Sequence, residues 1–171
     1  MVFRTLAITA VLVGLSGAAH AQDQDKQDFS GTWLMDESRS ESVHQNVPMK
    51  PSTLIIAMSG GSMSLETTHQ EDARSAVDEL IRVNLDGSES TTVSNGVSIK
   101  AKGHWEGSSL VVNTVRTVQQ AMVTTQYVYV LGAQGHELTI DKTLTVQHGY
   151  EGNVNNENEG HGKDVFVRAD K

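Results

Sequence analysis

The residues that could do chemistry in this chain are its histidines and carboxylates, since it has no cysteine. Without a thiol there is no cysteine nucleophile, no cysteine-based zinc site and no disulfide. His20 lies in the N-terminal apolar segment. The other six, His44, His69, His104, His136, His148 and His161, are possible bases or metal ligands. No two of them stand at the i, i+4 spacing of a helical ligand pair or the i, i+2 spacing of a strand pair. One group is dense enough to consider: His148, Glu151, Glu157, Glu159, His161 and Asp164, all in or beside the stretch HGYEGNVNNENEGHGK. Carboxylates and neutral imidazoles together can hold a divalent cation. The fixed spacing of a calcium loop is missing, however, and the stretch reads as a solvated acidic loop with no metal assigned. Serine, histidine and aspartate all occur, but nothing in the sequence brings them together. There is no G-x-S-x-G elbow, phosphate loop, dinucleotide fingerprint or H-E-x-x-H. No catalytic residue and no cofactor are therefore assigned, and a binding role is favoured over an enzymatic one.

Composition and the N-terminus narrow the setting. Residues Met1 to Ala21 have the parts of a secretory signal: Arg4, an uncharged apolar run over Thr5 to Leu15, and the cleavage pattern Ala19-His20-Ala21. The apolar run is shorter than the ~20 residues a membrane span needs. The expectation is export to the periplasm or medium of a bacterium, cleavage after Ala21, and no membrane span in the mature chain. Residues 22–27 then form a flexible tail and 28–171 a single domain. The net charge of −8, with no run of Lys or Arg, argues against nucleic acid as a partner.

The elements that would position any site are strands. Thr53 to Met58 and Ser62 to His69 flank Ser59-Gly60-Gly61, a hairpin signal. On the second of these, Met63, Leu65, Thr67 and His69 share a face, so His69 can line a cavity. Val77 to Leu85 is ambiguous. Ala73, Val77, Leu80 and Ile81 would line a helix, whereas Val77, Ile81, Val83 and Leu85 would line a strand with Glu79 as the exception. The following Asp86-Gly87 turn favours the strand. Val97 to Trp105 alternates most cleanly, with Ile99, Ala101, Gly103 and Trp105 on one face and Lys100, Lys102 and His104 on the other. Leu110 to Thr117, Ala121 to Leu131 and His136 to Gln147 follow, and Lys142 falls among the inward residues of the last. His148 to Lys163 reads as loop, and Asp164 to Ala169 as a short final strand. Asp36 to Ser52 contains both prolines and no clear period, which suits a loop that covers a binding site. About 8–10 short strands with turn signals between them specify an all-β sandwich or barrel.

The segments F-S-G-T-W-L, S-T-L-I-I, L-D-G-S-E, K-G-H-W-E-G-S-S-L-V-V, Y-V-Y-V-L-G-A-Q-G-H-E-L-T-I and V-F-V-R occur in that order between Phe29 and Arg168. Together they resemble a group of small exported bacterial proteins with a lipocalin-like (calycin-type) domain that opens on a G-x-W motif. The resemblance implies an antiparallel up-and-down barrel that binds a small apolar molecule. One departure is the missing disulfide that many secreted lipocalins carry.

On this reading Gly31 and Trp33 mark the closed end. A cation packs on the Trp33 ring, with Arg168 the first candidate and Lys142 the second, because first and last strands are neighbours in such a barrel. The many small inward residues leave an interior that is not filled. Met63, Leu65, His69, Trp105, Tyr127 and Tyr129 are expected to line it. The leading function is an exported protein that holds a small, partly apolar ligand. One alternative is an envelope interaction module with a filled interior, and another is a small barrel enzyme that uses a cavity His or carboxylate. The sequence fixes neither the ligand nor the oligomeric state.

Overall fold

The computed structural model describes residues 26–44, 49–69, 78–132, 134–148 and 157–169. Alternating apolar and polar residues with short turns build ten strands. They are β1 (Gly31–Met35), β2 (Ser52–Ser59), β3 (Ser62–His69), β4 (Glu79–Asn84), β5 (Ser90–Ser94), β6 (Val97–Glu106), β7 (Ser109–Val118), β8 (Ala121–Leu131), β9 (Glu137–His148) and β10 (Glu157–Arg168). A single 3-10 turn, Glu37–Arg39, follows β1. All ten strands form one antiparallel sheet in the order β4-β3-β2-β1-β10-β9-β8-β7-β6-β5. The fold is thus an all-β, up-and-down, nearly closed barrel of lipocalin-like type. The ambiguous element is a strand, β4, with Ile81 and Val83 buried. Residues 70–77, and with them Ala73 and Val77, lie outside the described residues, as does the signal-like segment.

The two ends of the chain join where β1 pairs with β10. Trp33 lies directly opposite Arg168 in that ladder. Its ring is fully buried, and its Nε1 donates to the Phe29 carbonyl at 3.0 Å. The Arg168 guanidinium carbon sits 4.1 Å from the ring centroid. Arg168 also donates from Nε to Gly135 O at 2.8 Å and from Nη1 to Ser30 O at 2.7 Å. Gly31 makes room for this arrangement. A Cβ at that position would collide with Arg168 Nη1, and its φ of +148° is one that side chains rarely adopt. Lys142, the second candidate for this stack, goes elsewhere, as described below.

Around this end the interior is packed. Phe29 stacks on Trp105 with centroids 5.8 Å apart and meets Tyr129 edge-on at 6.1 Å. Met63, Val83, Ile99, Leu110, Val112 and Leu138 belong to the same buried cluster.

Two features differ from the sequence reading. The stretch read as loop up to Lys163 is β-structure from Glu157 onward, paired with β9 as far as Glu157 opposite Gln147. Its glycines are used for close approach. The chain after the 3-10 turn runs over β10, where Glu41 N donates to Lys163 O at 2.6 Å and Lys163 N to Glu41 O at 2.9 Å. A Cβ on Gly162 would lie 2.7 Å from both Glu41 O and Val43 N. The Gly and Asn content that suggested a loop thus serves a crossing of backbones. The second feature is a break between β4 and β5, which are consecutive but share no ladder. Side-chain hydroxyls bridge it. Leu80 N donates to Ser94 Oγ at 2.9 Å, Arg82 N to Thr92 Oγ1 at 3.0 Å, and Ser90 Oγ to Arg82 O at 2.6 Å.

Trp33→Ala is expected to cost roughly 3–5 kcal/mol in urea unfolding, because it removes a fully buried ring and leaves a cavity. Gly31→Ala should also lower stability, since Arg168 must leave the ring to admit the methyl group. An exposed indole in fluorescence quenching of a Trp105→Phe variant, in which Trp33 is the one remaining tryptophan, would contradict this picture of the closed end.

Candidate ligand cavity

Above the packed end, the barrel interior opens into a cavity of about 300 Å³ that is continuous with solvent. Its walls come from seven strands because inward positions recur every second residue. Leu54, Leu65, Ile81, Ile140 and Phe166 supply apolar surface, and Met35 and Met49 add thioether chains. Ser52, Thr67, Tyr127 and Tyr129 bring hydroxyls. Lys50, Glu79, Lys142 and Asp164 bring charge. A mostly apolar pocket with a few placed polar groups is the usual form of a small-molecule site.

Of the residues expected to line the interior, Leu65, His69, Tyr127 and Tyr129 do so. Met63 and Trp105 do not. Both face inward, but they sit at the closed end. Met63 is 1% exposed within the core, and Trp105 lies under Phe29 and borders an outer groove with Leu85 and Met58. Of the long loop expected to cover the mouth, residues 36–44 run along β10, Met49 and Lys50 line the cavity, and residues 45–48 lie outside the described residues.

The charged groups are matched in pairs. Lys142 Nζ and Asp164 Oδ1 are 2.6 Å apart, with side chains only 14% and 13% exposed. They sit diagonally on adjacent strands, since Lys142 faces Gly162 in the β9–β10 ladder. Glu79, which also lines the cavity, forms an ion pair with Arg116 across β4 and β7. Burial raises the Asp164 carboxyl above the usual aspartate range, although Lys142 pulls it down. A carboxyl raised in this way favours folding at low pH and loses that contribution as pH climbs through its folded value. Burial likewise raises Tyr127 and, more strongly, Tyr129, with the negative charge of Glu79 adding to both. Both phenols are therefore neutral hydroxyls at physiological pH.

His69 is at the rim. Its Nδ1 lies 3.0 Å from Asp78 Oδ2, and its backbone N–H also donates to that carboxylate. Asp78 N in turn donates to Thr67 O at 2.9 Å. The imidazole thus fastens the base of the 70–77 connection. His161 and Glu159 pair at 2.9 Å on the outer face of β10. Asp164, an odd number of residues away, turns inward to Lys142, so strand alternation splits the acidic cluster between two faces.

The alternation Leu138, Ile140, Lys142 places Ile140 inward from the sequence alone, and it lines the cavity. Asp164 and Arg116 were not found as interior groups, although the alternation Leu110, Val112, Thr114, Arg116 carried the signal for the second.

No helix among the described residues is long and apolar enough to cross a membrane. No family model and no curated protein matches the chain. Several solved structures share its fold. A secretory abundant heat soluble protein from Ramazzottius varieornatus is 16% identical with a TM-score of 0.54, over 85% of this chain and 98% of that one. Human cRBP IV is 16% identical with a TM-score of 0.53, over 84% and 100%. A Schistosoma mansoni fatty acid binding protein in complex with arachidonic acid is 16% identical with a TM-score of 0.51, over 85% and 99%. Likeness at such identities concerns the fold.

The Lys142–Asp164 pair gives a stability prediction. Lys142→Met or Asp164→Leu alone leaves a buried charge without its partner and should cost roughly 3–5 kcal/mol. The double variant should return to within about 1 kcal/mol of wild type in urea unfolding, or exceed it. Additive losses would show that the two charges do not depend on each other.

Proposed function

We propose that this chain is an exported protein that binds a small, partly apolar molecule inside its barrel. The observation that carries the reading is the cavity of about 300 Å³, with mostly apolar walls, set above a fully packed closed end. Protein interiors are close-packed, and a void of this size has a use or a guest. A fold neighbour is a fatty acid binding protein in complex with arachidonic acid, which supports a bound small apolar molecule here. Export rests on the signal-like residues Met1 to Ala21.

The filled-interior interaction module fits the lower half of the barrel and not the upper half. The enzyme alternative would use a cavity His or carboxylate; His69 pairs with Asp78 through Nδ1 and its backbone N–H, and the two cavity acids, Asp164 and Glu79, pair with Lys142 and Arg116.

Native mass spectrometry of protein purified from its own envelope tests both halves of the proposal. The expected species lacks residues 1–21 and carries a small molecule that is lost in Tyr127→Ala. A mature species that keeps Met1 to Ala21 would remove the export claim. Bare protein that takes up no added long-chain amphiphile would remove the binding claim.

A further inference from the structure

The charges of the cavity bear on the chemistry of its guest. This argument rests on the binding reading above. Each cation that could meet an anionic head on the cavity wall already faces an anion. Lys142 is 2.6 Å from Asp164, and Glu79, the other acid on the cavity wall, is paired with Arg116. At the rim, Lys50 lies within the field of Asp78. A carboxylate entering here would have to displace Asp164 from Lys142, and both acids would repel it as it approached. Desolvating the incoming charge adds to that cost.

One polar group in the same space remains to be used. Tyr129 is 3% exposed and lines the cavity. Its ring is held by Phe29 and Tyr127, yet among the described residues its hydroxyl has no hydrogen-bond partner. That hydroxyl opens onto the cavity, where a guest can bond to it in place of water. Asp164 and Glu79 both act on this phenol, and a second negative charge beside it is unfavourable. A neutral group that donates and accepts meets no such penalty. We propose that the guest is an uncharged amphiphile, with a hydroxyl or amide head that bonds to the Tyr129 hydroxyl and an apolar tail against Leu54, Leu65, Ile81, Ile140 and Phe166.

The test is calorimetric titration of the full mature chain with three probes of equal chain length: decanol, sodium decanoate and decane. Decanol is expected to bind at least tenfold more tightly than decanoate. Tyr129→Phe is expected to weaken decanol roughly tenfold and to leave decane unchanged, as loss of one hydrogen bond predicts. Asp164→Asn, which leaves Lys142 uncompensated, should move the preference toward decanoate. If that variant does not fold, the wild-type comparison and Tyr129→Phe still decide. Decanoate binding as tightly as decanol to wild type, or decanol indifferent to Tyr129→Phe, overturns the inference and leaves the binding function standing. If none of the three probes binds, the binding function fails and the inference fails with it.

Discussion

The barrel depends on one cross-strand contact, the Arg168 guanidinium on the face of Trp33. A sheet of ten antiparallel strands has two edges, and exposed edges invite pairing with other chains. Here the two terminal strands of the sequence lie side by side in the middle of the sheet, so the join between chain ends is well protected. The guanidinium bonds to two carbonyls and an aromatic face at once, and its planar shape allows all three. With no cysteine in the chain, this contact and the β1–β10 ladder do the work of tying the first strand to the last.

From that closed end the interior changes character along the barrel axis. Apolar and aromatic side chains fill the bottom, and the upper half adds hydroxyls and ion pairs around open space. A gradient of this kind gives stability and binding separate places in a small domain. The packed end supplies buried area, and the upper half holds space and polarity that a core optimised for stability would exclude. The Lys142–Asp164 pair is held rigidly by two long strands, so the electrostatics of the cavity are set before any guest arrives.

Much of this was legible in the sequence, and the gaps have physical causes. Period-two alternation identified which residues face inward on β3, β6 and β8, because side-chain direction is local. It could not rank them by height, since height depends on register and tilt across the whole sheet. Trp105 and Tyr129 therefore looked equivalent, although one lies beneath Phe29 and the other opens onto the cavity. Lys142 was recognisable as an inward charge that must find a partner. That partner was hidden because Asp164 directly follows a run, Gly160-His161-Gly162-Lys163, whose composition is that of a loop, and was read as the first residue of the final strand. The glycines of that run answer to the crossing segment from Glu41 to Val43, which no local pattern reveals. Trp33 and Arg168 were recoverable despite lying far apart in the chain, because the topology of a meander makes its ends neighbours.

The seam between β4 and β5 has a mechanical consequence. A fully laddered cylinder resists any change of circumference, since widening it breaks many main-chain bonds together. This one is a split tube, and its slit is spanned by the hydroxyls of Ser90, Thr92 and Ser94. Water can replace each hydroxyl contact at little net cost, so dilation concentrates along this line while the ladders stay intact. Glu79 and Ile81, on one bank of the slit, also line the cavity. The volume offered to a guest is therefore elastic in one direction, and the work of spreading the slit enters the affinity of any molecule larger than the resting space.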